Sequence, residues 1–387
     1  MIGGIDFEDL GITKKWTDNA LVKAVSMKYL EMTKVLVEKI VNAQGGEYEN
    51  TLQAAAYDGN PDLVKFLVEN NTDLNAEKGF FEKALRAAVY KGNLDIVKFF
   101  VEKNADVNAQ GGVYGNALQA AAHWGKLDIV KFLVEKNANV NAQGGAYGNA
   151  LQAAVLSGNL DLVKFLVEKN ADVNAQGGEY ENALQAAAAV YWEHLDIVKF
   201  LVEKNTDVNT QGGYYGSALQ AAAYCQNLDT VKFLVEKNAD VNAQGGQFGN
   251  ALQAAAAAYH GNLDIVKFLV GKNADVHAQG GQYGNPLQAA CYEGNLDMVK
   301  FLVAKNADVN VQGGEYGTAL QAAAYSGNLA TVKFLVEKNA NVNAQGGKYG
   351  NALQAAKKQR RYDVVNFLEV HTTVTSLIVH AGTMAQL

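Results

Sequence analysis

Two hydrophobic rhythms alternate along most of the chain. They are clearest from Val107 to Asn139, "VNAQGGVYGNALQAAAHWGKLDIVKFLVEKNAN". Its segment "LDIVKFLVEKN" sets Leu127, Val130, Leu133 and Val134 at helical spacing on one face, which predicts an amphipathic helix. Asp128 falls in the first turn, where a carboxylate meets the positive end of the peptide dipoles. The helix should end near Asn137, because asparagine tolerates the left-handed conformation of a C-terminal cap. The shorter "NALQAAA" predicts a second helix, opened by Asn116, whose side chain can accept from the orphan N–H groups of the first turn. Between the helical segments, "ADVNAQGGVYG" is polar, and its paired glycines suit a hairpin tip. The predicted order is hairpin, short helix, turn, longer helix.

This order repeats. "VNAQGG" recurs unchanged from Val41, Val107, Val140, Val173, Val241 and Val342, and near copies start at Leu74, Val208, Val276 and Val309. Successive starts are 33, 33, 33, 33, 35, 33, 35, 33 and 33 residues apart. A fixed period of this size implies stacked units, none of which buries its apolar face alone. The residue opening the short helix is Asn, Ser or Thr in every other unit except the one that has Lys83. Both prolines agree with the frame: Pro286 follows Asn285 and Pro61 follows Asn60, so each sits at a first helical position, where the missing N–H costs least. Alanine-rich short helices allow close approach of layers, and bulkier second helices separate them. The expected stack therefore curves, with short helices and hairpins on its concave side.

The unit resembles the ankyrin repeat. That family's helix-opening Thr-Pro-Leu-His corresponds to "NALQ", to "NPLQ" (Asn285–Gln288) and to "TALQ" (Thr318–Gln321). The family's later Ala-Ala-x-x-Gly and Ile-Val-x-x-Leu-Leu correspond to "AAHWGKLDIVKFLV", and its Gly-Ala-Asp-Val-Asn-Ala to "NADVNA". Glutamine replaces the family's histidine, and it too could tie a helix to a neighbouring loop. The likeness spans roughly residues 18–371, and the wording "GGxYGNALQAA" is most similar to fungal-type arrays, including those attached to NACHT-type sensor NTPases. It implies an all-α repeat solenoid of about eleven helix pairs with β-hairpin loops. The expected layout is an N-terminal extension (1–17), a degenerate capping repeat (18–40), nine repeats (41–341), a C-terminal capping repeat (342–371) and a tail (372–387). The charged "KKQRRYDVV" from Lys357 suits a solvent-facing cap.

Composition narrows the function. With 33 Lys+Arg against 40 Asp+Glu, the net charge is −7, which argues against duplex nucleic acid as the main partner. No apolar run is long enough for a membrane span. The acidic start "MIGGIDFEDL" does not look like a secretory signal. Cys225 and Cys291 lie two repeats apart, too far to bridge, and free thiols fit a cytoplasmic, reducing compartment. Six histidines show no metal-ligand spacing, and no residue pattern marks a catalytic centre. No cofactor, no metal and no catalytic residue are expected, and the chain is expected to be monomeric. The "QGGVYG" loop shares only its glycines with a phosphate cradle: it follows polar residues and recurs along the array. The Asn of each "VN" resembles the asparagine that hydroxylases modify in ankyrin repeats, but stabilising the hairpin is the preferred reading.

Recognition should use columns that vary between units while staying exposed. One column follows the double glycine and includes Phe80, Val113 and Tyr214. A second lies at the end of the short helix and includes Lys91, Trp124, Trp192 and His260. Beside it runs a mostly tyrosine column with Tyr90, His123, Tyr191, Tyr224, Tyr259 and Tyr292. Such residues offer large contact area with a polar tip, although each tyrosine could equally cover the next layer. An aromatic two positions before the cap is constant (Tyr114, Phe248 and equivalents) and reads as packing. The unit from Leu74 breaks most rules and gathers Lys78, Lys83, Arg86 and Lys91 around Phe80. It reads equally as a candidate subsite for an acidic or aromatic segment or as drift of one repeat, with Glu77 and Glu82 offsetting part of the charge. Two units carry a two-residue insertion, expected to lengthen the first helix or its turn at Ala189–Val190 and Ala257–Ala258 and to bulge outward. The resemblance implies a non-catalytic scaffold that binds another protein through its concave face and hairpin tips. The alternative is a regulatory or recognition arm of a signalling system, inhibiting an enzyme or sensing a ligand.

Overall fold

A computed structural model describes residues 47–69, 80–190, 194–259 and 261–371. The expected extension 1–17, capping repeat 18–40 and tail 372–387 lie outside the described residues, as do Lys78, Tyr191, Trp192 and His260, and the side chain of Phe80. The chain forms two compact units, residues 1–178 and 179–387. The first contains α1 (Glu47–Asp58), α2 (Pro61–Glu69), α3 (Phe80–Lys91), α4 (Leu94–Glu102), α5 (Ala117–His123), α6 (Leu127–Glu135), α7 (Ala150–Leu156) and α8 (Leu160–Glu168). The second contains α9 (Ala183–Ala188), α10 (Leu195–Glu203), α11 (Ala218–Tyr224), α12 (Leu228–Glu236), α13 (Ala251–Ala256), α14 (Leu263–Gly271), α15 (Pro286–Glu293) and α16 (Leu296–Ala304). It continues with α17 (Ala319–Ser326), α18 (Leu329–Glu337), α19 (Ala352–Lys358) and α20 (362–371). Within each unit, neighbouring first helices pack along their length while second helices touch sparingly. The core is the alanine face of the first helices plus the Ile/Leu–Val–Leu triads of the second, such as Ile129, Val130 and Leu133.

Local chemistry fixes the helix ends. Asn116 and Asn149 accept from the N–H of Gln119 and Gln152, and each glutamine returns a bond to the cap's own N–H. These capping boxes satisfy two orphan donors at once. Pro286 occupies the start of its helix, as does Pro61. Second helices end in left-handed asparagines, including Asn137 (φ 62°) and Asn306 (φ 66°).

Two expectations change, and a third takes one of its two forms. The helices α1 and α3 begin three residues before the expected caps, so Asn50 and Lys83 lie inside helices. In the column where the hairpins carry Gly115 or Gly148, these units have Glu49 and Glu82, and α3 turns helical in place of the glycine-closed turn. Of the two places open to the insertions, helix or turn, the structure takes the turn: α9 and α13 stop at Ala188 and Ala256, and the extra residues follow them. These alanines do not bulge outward. Ala257 and Ala258 are buried because alanine fits between layers. Cys225 and Cys291 are both buried and free, as expected.

Glu181 shares the column of Gly148 yet takes a left-handed φ of 68°. A side chain there costs about 1–2 kcal/mol in backbone strain. Glu181→Gly should therefore raise stability by about 0.5–1 kcal/mol after the glycine's entropy cost, read as a higher urea midpoint. An unchanged or lower midpoint would show that the glutamate's side-chain contacts outweigh the strain.

Candidate partner-binding surface

Two ladders of polar bonds hold consecutive layers together and free other positions for recognition. The first is built by the short-helix glutamines. Gln119 Nε2 donates to the carbonyls of Ala142, Gly144 and Gly148 in the next layer, and Gln253 Nε2 donates to Gly280 and Gly284. The second is built by the "VN" asparagines. Asn141 Nδ2 donates to the Asn170 carbonyl while its Oδ1 accepts from Asp172 N–H, and Asn209 does the same with Asn238 and Asp240. Within each unit, constant letters therefore tie neighbouring layers together.

The column after the double glycine behaves differently. Its backbone serves the stack, since Ala146 N–H donates to the Val113 carbonyl and Gln247 N–H to the Tyr214 carbonyl. Its side chains face outward: Val113 is 62% and Tyr214 46% exposed. Further along this column, Lys348 Nζ lies 2.7 Å from Glu315 Oε1, and this hydrogen bond holds the Glu315 carboxyl below its ordinary range.

The tyrosine column divides in two. Tyr224 stacks on Phe248 at 4.3 Å, and Tyr292 packs on Tyr316 at 4.8 Å. Both are only half-exposed, wedged between hairpin aromatics. His123 likewise stacks on Tyr147 at 4.5 Å, and burial lowers its pKa. By contrast, Tyr259 follows the α13 insertion and is 73% exposed.

In the first unit, exposed rings meet across three layers. Tyr57 stacks on Tyr90 at 5.4 Å, and Tyr90 meets Trp124 edge-on at 4.6 Å. Lys91 Nζ sits 4.2 Å above the Tyr57 ring, and the three rings are 37–42% exposed. Tyr57 belongs to the tyrosine column, and its neighbour explains its exposure. The next hairpin would carry a covering aromatic, but the equivalent Phe81 lies in α3, is buried, and faces Phe100 at 5.9 Å. One turn before Tyr90, the half-buried Arg86 guanidinium lies against Gly111. Phe80 cannot be placed beside it, because only its backbone is described.

Chemistry of other kinds finds little support. Burial pushes the Cys225 thiol up to about 11 and the Cys291 thiol higher still, so neither is a ready nucleophile at neutral pH. Among the described residues, no group of three or more His, Cys, Asp or Glu is placed to hold a metal. None of the described helices is long and apolar enough to cross a membrane.

A family model for ankyrin repeats in three copies matches residues 4–78, 52–144, 85–177, 151–245, 252–346 and 287–375. The chain belongs to the ankyrin-repeat family. No curated protein matches it. Ankyrin repeats generally act as protein–protein interaction modules, and the ankyrin layers here tie themselves together through the Gln and Asn columns while Val113, Tyr214, Lys91 and Trp124 stay exposed. Ankyrin arrays are typically non-catalytic.

Proposed function

We propose that this ankyrin array is a non-catalytic module that binds another protein through its first-helix ends and hairpin tips. The observation that carries the reading is the row Tyr57–Tyr90–Trp124 with Lys91 beside it. These rings leave large apolar surface in water across three layers, although other tyrosines of the same column are packed away. Rigid aromatics with polar tips are the residues that dominate interface energetics. Tyr214, Val113 and Tyr259 are secondary contacts on exposed positions. Tyr224, Tyr292 and His123 contribute mainly by holding the layers in register.

The test is a comparison of the native chain with the double variant Tyr90→Ala plus Trp124→Ala as bait in an affinity capture, followed by titration of the captured protein. Binding should weaken at least about tenfold, with the far-ultraviolet circular dichroism unchanged. Undiminished binding by a folded double variant overturns the reading.

A further inference from the structure

Arg86 stands where the other units carry the clamping glutamine. In the layers from Gln119 to Gln321 that side chain is a neutral amide that donates to the next hairpin's carbonyls, as Gln119, Gln220 and Gln321 do. Arg86 makes no such closure. Its guanidinium Nη2 would lie 3.0 Å from a Cβ at Gly111, so it reaches the next hairpin and stops against a residue with no side chain. No hydrogen bond or ion pair to another described residue occupies it. It lines a cleft of about 630 Å³ with Glu82, Asn104, Asp106, Gln110 and Gly111, a volume within the usual range for binding pockets.

Glu82 attracts the arginine through space, but neither acid in this cleft hydrogen-bonds to it. Glu82 Oε1 accepts from Asp106 N–H at 3.3 Å, and Asp106 Oδ1 accepts from Asn108 N–H at 2.9 Å. The second Glu82 oxygen is enclosed and out of contact with solvent. An incoming group therefore meets the planar, five-donor fork of Arg86. Partial burial strengthens such a fork's hold on a carboxylate and discourages the cation from remaining unpaired. Desolvation lowers the Arg86 pKa, outweighing the opposing pull of the Glu82 carboxylate.

We infer that the Arg86 cleft is a carboxylate subsite, and that the partner of this array presents an acidic segment to it. The inference rests on the proposed aromatic row and deepens it. Arg86 and Tyr90 are four residues apart in α3, which puts them one turn, about 6 Å, apart on one helix face. A segment with a Glu or Asp side chain on Arg86 carries its neighbouring residues onto Tyr90 and Trp124. An acidic residue followed closely by an apolar or aromatic one is the sequence this spacing reads.

The probe is a fluorescein-labelled peptide with glutamates flanking one tyrosine, paired with a control in which every glutamate is glutamine. Fluorescence anisotropy compares the native chain with Arg86→Gln. That variant restores the residue of the other units, so loss of binding cannot come from a misfit residue in the layer, and its melting temperature should equal or exceed the native value. The acidic peptide should bind the native chain and lose about tenfold or more in Arg86→Gln, and should weaken steeply as salt rises. The glutamine peptide should not distinguish the two proteins. Equal affinity of the acidic peptide for both proteins overturns the inference, as does no binding to the native chain. Failure of the aromatic row shows itself separately. It leaves the Arg86→Gln loss intact while Tyr90→Ala plus Trp124→Ala has no effect.

Discussion

Replacing Gly281 by alanine should lower stability by about 3 kcal/mol or more. Gly281 takes a φ of +62°, and a Cβ there would lie 2.3 Å from the Phe248 carbonyl carbon, 2.4 Å from its oxygen and 2.6 Å from Gly249 N. All three are backbone atoms, so no side-chain rotation relieves the clash. The left-handed conformation alone costs an alanine about 1–2 kcal/mol, and pushing two hairpins apart adds at least as much. The hairpin must lift from its neighbour, which breaks the bond from Gln282 N–H to the Gln247 carbonyl. Amide exchange at Gln282 should accelerate far more than exchange in α14, which packs on the other side of the layer. A small, uniform change in exchange across the second unit would show that the hairpin contact is not what keeps these layers in register.

Much of this architecture was legible because each local rule points the same way. The 33-residue period, the Asn caps, both prolines and the left-handed asparagines all follow from residue chemistry that acts over a few positions. What was not legible depends on neighbours. Glu49, Glu82 and Glu181 share one column, yet the first two are helical and the third is left-handed. One letter with two backbone outcomes carries no local signal. The alanines of the insertions were equally silent: alanine suits helix, turn and core alike, so the sequence did not say that Ala257 and Ala258 would turn inward. The candidate surface shows the same limit. Tyr57 and Tyr224 occupy one column, and whether a hairpin aromatic covers them decides their role. Phe248 covers Tyr224. Phe81, drawn into α3, leaves Tyr57 in the open. The irregular unit from Leu74 therefore matters in two ways. Its Phe81 packs within α3 instead of covering Tyr57, and its Arg86 replaces the amide that ties other layers to the next hairpin.

The glutamine clamp itself gives the last strong expectation. Gln253 is fully buried. Its Oε1 accepts from Asn250 N–H at 2.9 Å, and its Nε2 donates to the carbonyls of Gly280 at 2.8 Å and Gly284 at 3.1 Å. Gln253→Glu keeps the shape and the acceptor but turns the donor into a second acceptor facing two carbonyl oxygens. At neutral pH this variant should lose about 3–5 kcal/mol, the scale for an uncompensated buried charge. Burial and facing acceptors raise a carboxyl's pKa above its unfolded value of about 4.3. A group with a raised folded pKa keeps its stability below the unfolded value and loses it as pH rises through the folded one. The variant should therefore approach the native urea midpoint near pH 4, where the protonated carboxyl donates to one carbonyl, and fall away towards pH 7. Gln253→Ala separates the causes, because it removes the donors without adding charge, and its deficit should not change with pH. If Gln253→Glu instead tracked the native chain at every pH, the amide would act by filling space rather than by donating. The ladder of glutamines would then be packing rather than the hydrogen-bonded tie between layers that its distances describe.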